Sequence, residues 1–288
     1  MSSPGSVQLG DLTLDIVSDG TFLLDAGSLF GVVPRTLWSR FVTPDAENCI
    51  RLSLNCLLIR GGRHTILVDT GLGPKLTQGQ MRVWSLERQG DLIEQLGRLG
   101  VAPDAVDLVV NSHLHADHCG WNTRPGAAGP VPTFPNAVYL VQRAEWEAAA
   151  VPNERTRVTY LPENYEPLQA TGQLRLVDGD TTVERGIRCL LTGGHSPGHQ
   201  VVALTSRRQE ALLLCDLVQH GLHLERPAWT SAFDVLPLQT LEQKRRLVER
   251  ALRRRALLLL GHEPDHPWGR LRRGPTGVRY VPEVSAEA

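Results

Sequence analysis

Residues 113–118 read His113-Leu114-His115-Ala116-Asp117-His118, three imidazoles and one carboxylate in six positions. Donors crowded in this way are unfavourable unless something binds them. Imidazole nitrogen and carboxylate oxygen together suit a divalent transition metal, zinc above all, and four donors so close can divide between two adjacent ions. Immediately upstream, Val106-Asp107-Leu108-Val109-Val110 is an apolar run of strand length that reaches the donors through Asn111-Ser112. The stretch therefore places metal donors just past the carboxyl end of a buried strand, in a fold built on a sheet.

Working outward, the same arrangement recurs three times. Ile187-Arg188-Cys189-Leu190-Leu191 runs into Thr192-Gly193-Gly194-His195, Ala211 to Cys215 runs into Asp216, and Ala256 to Gly261 delivers His262. Four apolar strands that each end in His or Asp bring seven donors to one rim, and seven donors imply two metal ions.

On these residues the chain resembles the metallo-β-lactamase-fold hydrolase superfamily over nearly its whole length. The resemblance is carried by Leu67-Val68-Asp69-Thr70-Gly71, the 113–118 motif, Thr192-Gly193-Gly194-His195-Ser196-Pro197-Gly198-His199, Asp216 and Gly261-His262. It implies an α/β fold, a four-layer αβ/βα sandwich with the metals at the sheet edges. It also implies that His113, His115 and His195 hold one ion, that Asp117, His118 and His262 hold the other, and that Asp216 bridges them. Within the superfamily the chain is most similar to the N-acyl-homoserine lactonase and methyl parathion hydrolase branches, through 195–200 and the tail Trp268-Gly269-Arg270-Leu271 with Tyr280-Val281-Pro282.

The chemistry expected of such a site is metal-dependent hydrolysis. Two cations, zinc or else manganese, cobalt or iron, share a water whose pKa falls until hydroxide exists at neutral pH, and one of them polarises a carbonyl or phosphoryl oxygen. Asp117 and Asp216 serve this chemistry as ligands, and Asp69 as a carboxylate that orients a ligand imidazole. No Gly-x-Ser-x-Gly elbow competes. The expected substrate is a small lactone, carboxylic ester or phosphotriester. One position departs from the lactonase pattern: those enzymes carry a tyrosine three residues after the bridging aspartate, and here Gln219 stands there. An amide is no phenolic acid, which shifts weight towards substrates with good leaving groups. The alternatives are a mononuclear iron oxygenase of the persulfide dioxygenase type, which needs fewer ligands, and a thioesterase of the glyoxalase II type.

Other polar groups receive modest readings. His199 is expected to form a structural hydrogen bond, His266 is the rival of His262 but follows Pro264-Asp265 in a loop, and His220 or His223 could pass the substrate on a loop after Asp216. Cys119 and Cys215 adjoin proposed ligands, yet alternation along an apolar strand should turn Cys215 to the opposite face.

Composition sets the remaining bounds. A net charge of −1, with 41% hydrophobic and 21% charged residues, fits an ordinary soluble globular protein and offers no positive field for nucleic acid. Arg253-Arg254-Arg255 and Arg272-Arg273 read as solvated positions. No apolar run approaches a membrane span, the first twenty residues lack an export signal, and five cysteines lack close pairing, so a reducing cytoplasm is expected. A homodimer is also within expectation.

Periodicity predicts one domain over 1–288, beginning with a strand at Val7–Val17 and a hairpin from Arg51–Ile59 to His64–Val68. Between them, Thr21 to Pro44 reads as a long loop with scattered aromatics. Helical spacing follows at Leu86–Leu99, a helix starting at Asp117, a strand at Ala137–Val141, a helix near Ala144–Ala150 and a polar stretch through Pro167 that could cover the site. Leu174–Val177 is a further strand, and Leu238–Arg254 is an amphipathic helix.

Overall fold

The computed structural model describes residues 5–275 and 277–283. Its first sheet begins with β1 (Val7–Leu9), β2 (Leu12–Asp25), β3 (Cys49–Arg60), β4 (Ile66–Val68) and β5 (Leu108–Val110). A small ribbon, β6 (Thr123–Gly126) and β7 (Gly129–Pro132), interrupts the run before β8 (Val138–Gln142) and β9 (Leu174–Val177) complete it. The order is β1-β2-β3-β4-β5-β8-β9. The second sheet follows sequence order: β10 (Thr181–Glu184), β11 (Ile187–Leu191), β12 (Gln200–Ser206), β13 (Gln209–Leu213), β14 (Leu257–Leu259), β15 (Trp268–Gly274) and β16 (Gly277–Pro282).

Both halves begin as antiparallel meanders and then cross over to a parallel neighbour, β4 to β5 and β13 to β14. A parallel step needs a long connection. Helix Leu92–Arg98 lies within the first and helix Pro237–Arg254 within the second, and each covers the outer face of its own sheet.

Because side chains alternate along a strand, apolar runs here feed two cores at once. Leu57 and Ile59 face inward while Leu58 faces the helices; Leu257 and Leu259 face inward while Leu258 faces outward. The inward sets of both sheets, including Leu14, Ile66, Val110, Val202 and Leu213, make one inter-sheet cluster. The layers are thus helix, sheet, sheet, helix, as the resemblance implies.

The donors leave β5, β11, β13 and β14 at one rim, where the sheets are stitched together. Ser53 N donates to His262 O at 3.0 Å, Asn55 N to Gly261 O at 3.0 Å, and Gln200 N to Ser112 O at 2.9 Å. Beneath the rim Asp19 is fully buried and accepts from Gly73 N, Leu92 N, Trp121 Nε1 and the Arg88 guanidinium. Burial pushes its pKa up, opposed by Arg88. It anchors the 69–73 turn, where a Cβ on Gly71 would lie 2.3 Å from the Asp19 side chain and φ is +63°.

Several local expectations need correction. The segment 21–44 is not one long loop: β2 runs on to Asp25, and helices Ala26–Phe30 and Arg35–Trp38 follow. Its aromatics are the reason, since Phe22, Phe30 and Trp38 are buried in a fourth cluster with Leu52 and Leu72. The opening strand is two strands joined by a tight turn at Gly10-Asp11. Helix Gln78–Trp84, capped by Thr77 and Gln80, was not expected, and the helix of 86–99 is confined to Leu92–Arg98 because Asp91 caps it. Cys215 lies not on a strand but at the start of a short turn with φ +45°.

Candidate metal centre

Strand ends deliver the donors, and tight turns aim them. After β5 the backbone passes Asn111-Ser112 into His113, and His115 precedes a single helical turn, Ala116–Cys119, that carries Asp117 and His118. Thr192 N and Gly193 N both donate to His199 O at 2.9 Å, closing the loop that presents His195, in which Gly193 (φ +58°) and Gly194 (φ +86°) hold left-handed positions. Asp216 is presented by the strained Cys215 turn, and His262 by the end of β14.

All seven converge. Donor atoms of His113, His115 and His195 lie within 4.8 Å of one another, as do those of Asp117, His118 and His262, and those of His113, His118 and Asp216. His195 Nε2 is 3.1 Å from His115 Nδ1. Asp216 lies between the two triads. Its Oδ1 is 2.9 Å from both His118 Nε2 and His262 Nε2, and its Oδ2 is 3.3 Å from His195 Nε2. Asp117 Oδ2 is 3.5 Å from His118 Nε2 and 3.8 Å from His262 Nε2.

The donor set fits divalent metal. His113 Nε2 is buried without a hydrogen-bond partner, an arrangement that is costly unless a cation occupies the space it faces. Nitrogen and carboxylate donors match zinc and its first-row neighbours.

Titration behaviour divides the cluster. Burial holds His113 and His115 well below the usual histidine range, reinforced by neighbouring imidazoles. Burial acts in the same direction on His118, but the carboxylates of Asp216, Asp117 and Asp69 outweigh it and raise that imidazole well above the usual range. His195 and His262 are also raised, burial being outweighed chiefly by Asp216. Burial opposes ionisation of Asp216, yet His118, His262 and His195 together hold it well below the ordinary carboxylate range.

Behind the donors stands a set of orienting groups. Asp69 Oδ2 accepts from His118 Nδ1 at 2.8 Å, and the same carboxylate takes Ser112 N and Ser112 Oγ, each at 2.7 Å. Asp69 holds φ +60°, a conformation uncommon outside glycine, so the turn and the orienting role coexist. Ser112 Oγ is 3.0 Å from His113 Nδ1, Asp234 Oδ1 is 3.1 Å from His195 Nδ1, and Ser53 O is 2.9 Å from His262 Nδ1. Sequence reasoning identified Asp69 and missed Asp234, Ser53 and Ser112. Asp234 carries no signal, since it sits in an irregular segment 39 residues from its partner.

The remaining histidines belong to none of the donor groups, although the His199 ring lies 5.3 Å from that of His113 and 5.8 Å from that of His195. His199 Nδ1 pairs with Thr192 Oγ1 at 2.7 Å, in agreement with a structural role, and His266 is exposed. His220 and His223 pack edge-on against Phe30 and do not line the cavity over the donors, contrary to the substrate contact considered for them. Cys119 and Cys215 are buried and outside the donor groups. That cavity has apolar walls from Phe22, Leu24, Trp84 and Phe233, with Thr159 and Gln219 as polar points. Gln219 Nε2 donates to Asp216 Oδ2 at 2.5 Å, and its carbonyl oxygen is buried without a partner.

A four-layer sandwich with these donors at one rim defines a metal-dependent hydrolase. The chain belongs to the metallo-β-lactamase superfamily, whose model matches residues 50–262. An N-acyl homoserine lactonase of Bacillus thuringiensis is 30% identical over 227 residues, 74% of this chain and 82% of the relative. A probable metal-dependent hydrolase from Staphylococcus aureus superposes with a TM-score of 0.89 at 26% identity, covering 98% of this chain and 100% of that one. A structure of an N-acyl homoserine lactone hydrolase, with the product N-hexanoyl-L-homoserine at its catalytic metal centre, has a TM-score of 0.66 at 26% identity and covers 89% of this chain and 94% of that one.

Proposed function

We propose that this chain is a dinuclear hydrolase that opens a lactone, with zinc as the expected metal. The observation that carries the reading is the position of Asp216, one oxygen turned to His118 and His262 and the other to His195. A carboxylate so placed is suited to bridge two ions, with His113, His115 and His195 holding one and Asp117, His118 and His262 the other. The completeness of the second triad supports this reading over a mononuclear oxygenase. The N-acyl homoserine lactonases among its relatives support a lactone substrate.

When bound, such a pair of ions supplies ionised water at neutral pH and Lewis-acid polarisation of the substrate oxygen. The protein's own part is positioning. Asp69, Ser112, Asp234 and the Ser53 carbonyl lock the imidazoles in orientation, which is the usual role of groups behind metal ligands. Phe22, Leu24, Trp84 and Phe233 line the cavity and offer an apolar wall to an acyl or aryl group. The Gln219 amide, tied to Asp216, holds no acidic hydroxyl for a departing alkoxide. This favours a second reading, carboxylic esters or phosphotriesters with acidic leaving groups. Five free thiols, four of them buried, support a reducing compartment such as the cytoplasm. Among the described residues no helix is long and apolar enough to cross a membrane, and the shared inter-sheet core supports one domain.

The test is turnover on alkyl lactones, aryl esters and aryl phosphotriesters by zinc-loaded wild type beside Gln219→Tyr. Lactone hydrolysis with a steep dependence on leaving-group acidity, flattened in the tyrosine variant, is expected. No hydrolysis of any of the three classes would refute the reading. Fast alkyl lactone turnover unchanged by the tyrosine would refute the role given to Gln219.

A further inference from the structure

The Glu145 side chain is fully buried at the start of helix Arg143–Ala150, outside the cavity, and accepts four hydrogen bonds from three separate segments. Oε1 takes Leu114 N at 3.0 Å and the Tyr160 hydroxyl at 3.0 Å. Oε2 takes Ser196 Oγ at 2.6 Å and Gly198 N at 3.1 Å. Leu114 sits between His113 and His115, and Ser196 follows His195. One carboxylate therefore holds the Leu114 backbone N–H and the Ser196 hydroxyl, which adjoin all three members of one donor triad, across the joint between the sheets.

We propose that Glu145 is a positioning residue that sets the His113, His115 and His195 triad before metal arrives, and so determines the affinity of that ion site. The proposal rests on the two-ion reading given above.

Three further features support it. A buried carboxylate is unfavourable unless its lone pairs are satisfied, and here each oxygen has two donors from ligand-bearing or ligand-touching segments. Tyr160 packs its ring against His115 with centroids 5.0 Å apart, so its bond to Glu145 also fixes the plane of that imidazole. Finally, the loop after His195 meets the helix with no space to spare, because a Cβ on Gly198 would lie 2.2 Å from Glu145 N. Glu145 touches neither the cavity nor any donor atom, so it acts through its neighbours.

The experiment is chelator-competition titration of zinc, with the visible spectrum of the cobalt-substituted protein, for wild type, Glu145→Gln and Ser196→Ala. The amide places an NH2 group against donors, so Glu145→Gln should bind one of two ions about 10- to 100-fold more weakly, alter the cobalt spectrum, and regain turnover in excess zinc. Ser196→Ala removes one of four donors and should show a smaller loss in the same ion. It decides the matter if Glu145→Gln does not fold. Wild type that takes up fewer than two ions overturns the two-ion reading and this proposal with it. Wild type with two ions, beside variants with unchanged affinity and cobalt spectrum, overturns the clamp alone.

Discussion

The two halves of the molecule supply the same metal centre in opposite ways. The first sheet gives four donors from one six-residue loop after β5, whereas the second gives three, each from a different strand end. The first set is local and needs one loop to be folded. The second set exists only when β11, β13 and β14 are paired and the sheets are stitched at Ser53, Asn55 and Gln200. Binding metal thus rewards the assembled sandwich, since donors from distant segments are not prearranged in the unfolded chain.

The largest effect should come from the residue that joins the halves. Asp216→Ala removes a negative charge from among three imidazoles and should abolish turnover and lose at least one ion, read by kinetics and elemental analysis. An alanine variant with wild-type rate and full metal would show that the two donor sets work independently. A smaller effect should come from the carboxylates behind each half: Asp69→Asn should weaken zinc at the His118 side, and Asp234→Asn at the His195 side, each by about 10- to 100-fold in chelator competition. Identical spectral changes from both in the cobalt protein would erase the proposed division.

The smallest effect is on pH dependence. His113 and His115, held low, are already neutral and release no proton on binding metal. His118, His195 and His262 are raised, so metal-free protein keeps their protons to higher pH, and a cation must displace them. Zinc affinity should therefore rise with pH to above the ordinary histidine value of about 6.5. Calorimetry in buffers of different ionisation enthalpy should show proton release at neutral pH. Zero release there would contradict the assignment.

The same contrast explains what could be read in the sequence. The seven donors were legible because strand-length apolar runs ending in His or Asp report a sheet and its rim, whereas the four-layer architecture came from the resemblance to the metallo-β-lactamase superfamily and not from spacing. Asp69 was legible through the same resemblance, which carries it in Leu67-Val68-Asp69-Thr70-Gly71, and through the need of a ligand imidazole for a carboxylate partner. Asp234 and Glu145 were not, because each acts on a residue 31 or more positions away through folding that no local pattern encodes. Phe22, Phe30 and Trp38 misled in another way: aromatics with turn residues around them read as a loop until tertiary burial, invisible in spacing, made strand and helix of them.

The most direct test of the account is anomalous diffraction at the zinc edge from crystals of the zinc-loaded chain. The account predicts two peaks on either side of the Asp216 carboxylate, one among His113, His115 and His195 and the other among Asp117, His118 and His262. A single peak with Asp117 and His262 turned away from it, or peaks elsewhere on the molecule, would contradict it.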